Sequence, residues 1–173
     1  FGVVQALHRT GIYRGFVSDA DYYTVLTGHG VLLVLVFTTF FIAGIFLWAV
    51  TSSLDREVVS QRVTKLWFYL MLLGTVLAAT AIIGGFSDLI PASATVLFTF
   101  YAPLQASPVF YIGAALIIVG SWIAGVNYFR TFYGWKQENP DERIPLQTFM
   151  VLTTMLMWYI ATIGVAVEVV VFL

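Results

Sequence analysis

The stretch LLVLVFTTFFIAGIFLWAV, residues 32–50, decides the fold class of this chain. It contains no charged residue, and its apolar residues do not alternate with polar ones. A strand of a membrane barrel needs about 10 residues of alternating character, so the stretch does not fit one. A helix satisfies its backbone hydrogen bonds within the segment, as lipid requires. The stretch therefore predicts a helix that crosses a membrane.

The composition of the whole chain agrees with a membrane protein. The 173 residues are 60% hydrophobic and 10% charged, and the mean hydropathy is +0.93. Soluble domains carry about 25% charged residues, enough to cover a surface in water. An aromatic content of 17% is unlike that of a disordered chain. A net charge of −1 indicates no nucleic-acid partner, and the absence of cysteine excludes thiolate metal sites.

Clusters of charged residues divide the chain into four predicted membrane spans. Each stretch between clusters is long enough for the roughly 20 apolar residues that cross a bilayer. We expect an all-α, polytopic membrane helical bundle in which residues 1–173 form a single transmembrane region. The predicted spans are residues 23–52, 66–87, 107–128 and 146–170.

Lysine and arginine predict the orientation of these spans. Loops 53–65 and 129–145 carry three basic residues each, whereas the opposite side carries only Arg9 and Arg14. Basic residues concentrate on the cytoplasmic side of membrane proteins. We therefore expect both loops to be cytoplasmic, with residues 1–21 and 88–107 facing outward.

Three local patterns lead to further expectations. Asn139 and Pro140, followed by two acids, predict the start of the last helix, with Asn as its cap and Pro in its first turn. Loop 88–107 is apolar and aromatic, so we expect it to fold against protein or a large apolar ligand. The chain begins with FGVVQAL and stops within VEVVVFL, which predicts an internal piece of a longer polytopic protein.

His29 is the leading candidate for chemistry because it lies inside the first predicted span. An ionisable residue within a membrane span is a functional candidate, and neutral imidazole is a common ligand of haem iron. The flanking Gly28 and Gly30 leave room on the helix surface for a bulky planar partner. Those glycines equally suit close helix packing, with His29 in an interhelical hydrogen bond. The residues alone leave both interpretations open.

Other ionisable residues have simpler interpretations. His8 fits a hydrated side chain at the outer interface, and ligation of one haem together with His29 is its alternative. Glu168 fits either a hydrated interfacial residue or a proton relay. The sequence contains no phosphate-binding loop and no H-E-x-x-H zinc motif.

Several motifs in order resemble one known family. The stretch YYTVLTGHGVLLVLVFTTFF, residues 22–41, resembles the second helix of haem–copper terminal oxidase subunit I, in the B-type branch of cytochrome c oxidases. Residues 94–104, 110–114, 139–150 and 157–173 resemble later parts of the same subunit in the same order. The resemblance covers the chain from about Gln5 onward.

This resemblance implies a fold, a site and a set of cofactors. It implies that the chain supplies four of about a dozen helices, and that His29 is one of two axial ligands of the low-spin haem. A second haem and copper are expected from the remainder of the subunit. Phe98 is where relatives carry Tyr, which puts a hydroxyl role there in doubt. The implied haem-site residues are Tyr22, Tyr23, Gly28, His29, Gly30, Phe98, Phe100 and Tyr101.

The same resemblance implies the activity and the partners. The family reduces oxygen to water and pumps protons, taking electrons from a cytochrome c-like donor or a quinol. The expected partners are the other helices of subunit I, a subunit II with a copper centre, and the lipid of a prokaryotic cytoplasmic membrane. This segment holds no catalytic residue of its own and is incomplete alone. Two alternatives stay open: a nitric oxide reductase of the same superfamily, and a cofactor-free four-helix membrane module.

Overall fold

A computed structural model describes residues 1–11, 18–84 and 106–172, and these residues contain helices and no strand. The first helices are α1 (Gly2–Arg9) and α2 (Asp19–Gly30). Helix α2 continues without a break through a π-helical segment, π1 (Val31–Phe37), into α3 (Thr38–Ser53). The remaining helices are α4 (Gln61–Gly84), α5 (Pro108–Glu138) and α6 (Leu146–Phe172).

Four helical stretches are long and apolar enough to cross a membrane. They are Asp21–Ser53, Gln61–Gly84, Pro108–Glu138 and Leu146–Val171. The prediction of an all-α bundle with four membrane-compatible helices is confirmed. Within the first of these, Ser18 caps α2 by accepting a hydrogen bond from the Asp21 backbone N–H at 3.1 Å.

Glycines allow α4 and α5 to pack against each other at close range. A Cβ atom built on Gly74 would lie 2.5 Å from the carbonyl oxygen of Gly113, and one built on Gly113 would lie 2.7 Å from the backbone nitrogen of Ala78. Small residues at such crossings let two backbones approach within a membrane. This pair forms the centre of the described bundle, and α5 contributes many of its buried residues.

The two loops that carry most of the basic residues are shorter than predicted. Helix α4 begins at Gln61 and α5 continues to Glu138, so the connections are residues 54–60 and 139–145 rather than 53–65 and 129–145. Arg130 and Lys136 are therefore helical. At 1.5 Å per residue, the 31 residues of α5 span about 46 Å, whereas the hydrocarbon core is about 30 Å thick. Charges mark the edge of the lipid, and the helix continues past that edge.

The prediction that Asn139 and Pro140 start the last helix is wrong. Asn139 instead ends α5: its backbone N–H and its side-chain Nδ2 both donate to the carbonyl oxygen of Trp135, at 3.0 and 2.9 Å. Pro140 lies in the turn that follows, and α6 begins at Leu146. Proline is common just past a helix end as well as in a first turn, so the residue types alone do not separate the two.

Candidate functional site

His29 lies in the last turn of α2, directly before π1, and its side chain is partly buried. One edge of its imidazole faces the backbone of Gly2 in α1. A Cβ atom built on Gly2 would lie 3.5 Å from Cε1 and 3.8 Å from Nε2 of His29. Within the part of the chain that the structure describes, the imidazole has no hydrogen-bond partner. Its ring nitrogens are thus not engaged by the described residues around them.

Helix α1 runs along the face of α2 that carries His29. The Gln5 side chain donates to the carbonyl oxygen of Val25 at 3.4 Å, and Nε of Arg9 donates to the Tyr22 hydroxyl at 3.0 Å. Tyr22 and His29 are seven residues apart, which places them on one helix face about 10 Å apart along the axis. The α1–α2 pair therefore has an imidazole at one end and a polar cluster two turns away.

The polar cluster is built around Tyr22. The ring of His8 stacks on the Tyr22 ring, with centroids 4.4 Å apart and planes at 26°. Tyr23 meets Tyr22 edge-on at 5.6 Å and is 47% exposed. Nδ1 of His8 is buried and has no hydrogen-bond partner among the described residues. His8 is therefore partly enclosed by its neighbours, unlike the freely hydrated side chain expected from its position in the sequence.

The two glycines beside His29 have different surroundings. A Cβ atom on Gly28 would lie 3.2 Å from Cγ2 of Ile82 in α4 and 3.4 Å from the ring of Phe1. Gly28 thus allows close packing of neighbouring segments rather than opening a surface. Gly30 is partly exposed next to His29.

The remaining candidates from the sequence fall outside this cluster. Phe98, Phe100 and Tyr101 lie outside the described residues. Glu168 is exposed near the end of α6. The described residues bring together His29, Tyr22, Tyr23, Gly28 and Gly30, all on α2.

The structure adds one residue that sequence reasoning did not identify, namely Gly2. No pattern in the sequence marks it, because the contact with His29 depends on how α1 folds back onto α2. The sequence places Arg9 on the outer side, and the structure gives it a hydrogen-bond partner in Tyr22.

The described residues at this site offer one imidazole, that of His29, as a possible ligand. Across residues 1–11, 18–84 and 106–172 there is no group of three or more His, Cys, Asp or Glu residues that could hold a metal ion. A single imidazole with free nitrogens can supply one ligand to an iron already held by a macrocycle.

A second feature is an apolar cavity of about 270 Å³ between the first span, α5 and α6. Its hydroxyl groups are largely occupied by bonds to backbone carbonyls. Thr38 donates to Leu33, Ser121 to Ile118 and Tyr128 to Ala43, at 2.9, 2.7 and 2.7 Å. Because these polar groups are already paired, the cavity suits an apolar group.

The comparisons with known proteins place the whole chain in one family. The family model described as cytochrome c and quinol oxidase polypeptide I matches residues 1–173. The chain belongs to this family. The resemblance to haem–copper oxidase subunit I is thereby confirmed.

Two known proteins illustrate the similarity. Cytochrome c oxidase subunit 1 of Thermus thermophilus is 33% identical over 155 residues, which cover 88% of this chain and 26% of that protein. A cryo-EM structure of a heme-copper terminal oxidase dimer matches with a TM-score of 0.86 and 36% identity. That match covers 98% of this chain and 28% of the other. The chain thus spans about a quarter of the length of these relatives.

Proposed function

We propose that this chain is part of the catalytic subunit of a respiratory terminal oxidase, and that His29 is one axial ligand of its low-spin haem. The observation that carries the proposal is the imidazole of His29 within a membrane-spanning helix, with no hydrogen bond to any described residue. The names of the family and of the two relatives support an oxidoreductase acting as a larger complex.

The proposed activity is that of cytochrome c oxidase in the B-type branch: oxygen is reduced to water and protons are pumped. Electrons would come from a cytochrome c-like donor or a quinol, through subunit II and its copper centre. A second haem and copper would be held by other helices of the subunit. The complex would lie in a prokaryotic cytoplasmic membrane, with connections 54–60 and 139–145 on the cytoplasmic side.

The residues of this chain would position the cofactor. His29 would hold the iron of a haem, which when bound supplies one-electron transfer whose potential its axial ligands help to set. Gln5 and Arg9 fasten α1 to α2 through bonds to Val25 and Tyr22, which holds the backbone of α1 beside the imidazole. Phe98, Phe100 and Tyr101 are proposed to line the haem pocket from the outer side.

The decisive experiment compares wild type and His29→Ala in the complete subunit within its native complex. We expect the substitution to remove the low-spin haem band from the reduced-minus-oxidised spectrum and to lower the haem content of the purified protein. His8→Ala is the matched control, since it removes the other imidazole of the chain, and we expect it to retain the band. A low-spin band that survives His29→Ala unchanged would refute the proposed ligand.

A further inference from the structure

Gly2 lies beside the part of the His29 ring that contains Cε1 and Nε2. The two heavy atoms nearest to a Cβ built on Gly2 are Cε1 and Nε2 of His29, at 3.5 and 3.8 Å. Nε2 is one of the two imidazole nitrogens that can bind a metal. The side chain missing from Gly2 would thus project toward a metal-binding edge of the ring.

Other glycines in the chain have different neighbours. Gly74 and Gly113 face each other's backbones, and Gly28 faces the side chains of Ile82 and Phe1. These positions are explained by helix packing. Gly2 meets neither a backbone nor an apolar side chain at such distances; its neighbour is the imidazole of His29 on α2.

The size of a tolerated side chain follows from these distances. A single Cβ at 3.5–3.8 Å from the ring is in ordinary van der Waals contact, so alanine fits. A further carbon lies about 1.5 Å beyond Cβ, and one directed at the ring would overlap it. Branched or long side chains at position 2 would therefore occupy the space beside Nε2 that a group bound to His29 would need.

We propose that Gly2 is a positioning residue for the haem site: its missing side chain leaves the space beside Cε1 and Nε2 of His29 clear for the group that the imidazole would hold. This inference rests on the proposed role of His29 as an axial ligand. It adds a steric requirement from a second helix, which the ligand assignment alone does not contain. The requirement is graded by side-chain size, because only atoms beyond Cβ intrude.

The test is a size series at position 2 in the complete subunit: Gly2→Ala, Gly2→Val and Gly2→Leu. The readouts are the low-spin haem band, the haem content and the midpoint potential of the low-spin haem. We expect Gly2→Ala to resemble wild type, and Gly2→Val and Gly2→Leu to lose or shift the low-spin signal. Gly44→Leu is the matched control, since no heavy atom lies within 4 Å of a Cβ built there. We expect it to leave the band in place.

The outcomes separate this inference from the proposed function. A Gly2→Leu protein with an unchanged band and potential overturns the inference, even if His29→Ala removes the band. If His29→Ala leaves the band intact, the ligand assignment itself fails. Should the larger variants not accumulate, Gly2→Ser gives a further measurement, because it adds a single heavy atom beyond Cβ and is the smallest change that the steric requirement should detect. We then expect a shifted midpoint potential, and an unchanged potential would contradict the inference.

Discussion

Tyr128 shows how a single side chain joins two spans in this bundle. Its side chain is fully buried, and its hydroxyl donates to the carbonyl oxygen of Ala43 in α3 at 2.7 Å. The bond connects α5 to the first span beside the apolar cavity. Interhelical hydrogen bonds in membranes contribute modestly, on average about 0.6 kcal/mol and at most about 1.7.

Tyr128→Phe should therefore lower stability slightly. The expected loss is about 1 kcal/mol, because one buried hydrogen bond disappears while the ring still fills its place. The measurement is the apparent Tm of the complete protein in detergent. Tyr133→Phe is the control, since Tyr133 is 64% exposed and its hydroxyl has no partner in the described residues. A larger effect at Tyr133 than at Tyr128 would contradict the reasoning.

At the residue scale, the sequence predicts the candidate ligand better than its surroundings. His29 is conspicuous because an ionisable side chain inside a span is rare and costly. Gly2 is not, because its contact with His29 arises only when α1 folds onto α2. The sequence predicts that Gly28 opens a surface, yet Ile82, far away in the sequence, packs against it. Contacts between distant segments are absent from any local pattern.

At the scale of helices, the α4–α5 crossing leaves no space for added side-chain atoms. At Gly74 and Gly113 the nearest atoms are backbone atoms of the opposite helix, which cannot rotate away as a side chain can. At Gly120, a Cβ would lie 3.0 Å from the carbonyl oxygen of Trp67. The crossing distance is therefore fixed by the absence of side chains at these positions.

Gly74→Ala should destabilise the protein by about 1–3 kcal/mol, because the added methyl group forces the two helices apart. Gly44→Ala makes the same chemical change in α3, where a Cβ meets nothing within 4 Å. There we expect no loss, or a gain of about 0.5–1 kcal/mol from reduced backbone entropy of the unfolded chain. Thermal unfolding of both variants, followed in parallel, checks the contrast. Equal Tm values for the two would argue against a tight crossing.

Helix ends are harder to predict than helices in this chain. The charges around Arg130 and Lys136 are typical of a loop, although α5 continues through them to Glu138. Lys136 in fact donates to the carbonyl oxygens of Pro140 and Glu142, at 2.8 and 2.6 Å, and so fixes the turn after α5. Hydropathy locates the lipid boundary, whereas capping contacts locate the end of the helix.

Across the whole molecule, the two connections proposed to be cytoplasmic meet at one end of the bundle. Arg56 pairs with Glu138 at 3.2 Å, and Ser53 shares a hydrogen bond of 2.6 Å with Thr148. Glu138 is largely exposed and Arg56 is partly buried, so we expect the pair to contribute about 1 kcal/mol or less. The four spans alternate in direction, and that alternation is what brings connections 54–60 and 139–145 together.

Cysteine labelling should test the orientation, because the 173 residues contain no cysteine. Single substitutions Glu57→Cys and Asp141→Cys would be placed in the complete subunit with the parent protein as control. We expect a membrane-impermeant maleimide to label both cysteines only when the reagent has access to the cytoplasmic face, because both connections lie on that side. Thr10→Cys, exposed just after α1, should react from the opposite side. Labelling of Glu57→Cys and Thr10→Cys from one face would refute the orientation.

The number and order of the spans could be predicted, but not which faces of the helices pack together. In water, a polar stripe marks the exposed side of a helix, but lipid removes that distinction because its tails are as apolar as leucine. In α6, Ile160 is 73% exposed and Val169 is 2% exposed, although both are branched aliphatic residues. Only small residues such as Gly74 indicate which face of a helix is packed, and they do not indicate which helix packs against it.

The π-helical segment π1 sets the direction in which His29 points relative to α3. Its wider turns end at Thr38, whose backbone N–H donates to the carbonyl oxygen of Leu33 five residues earlier, and the helix continues directly into α3. In an ordinary α-helix each residue advances the helix by about 100°. Deleting one residue from π1 would barely shorten the span and would leave its apolar exterior intact. It would nevertheless change the rotation of α2, and of His29 with it, about the helix axis relative to α3, and α1 would turn with α2 because Gln5 and Arg9 fasten the two helices together. The direction of the His29 imidazole relative to α3 thus depends on the number of residues in π1.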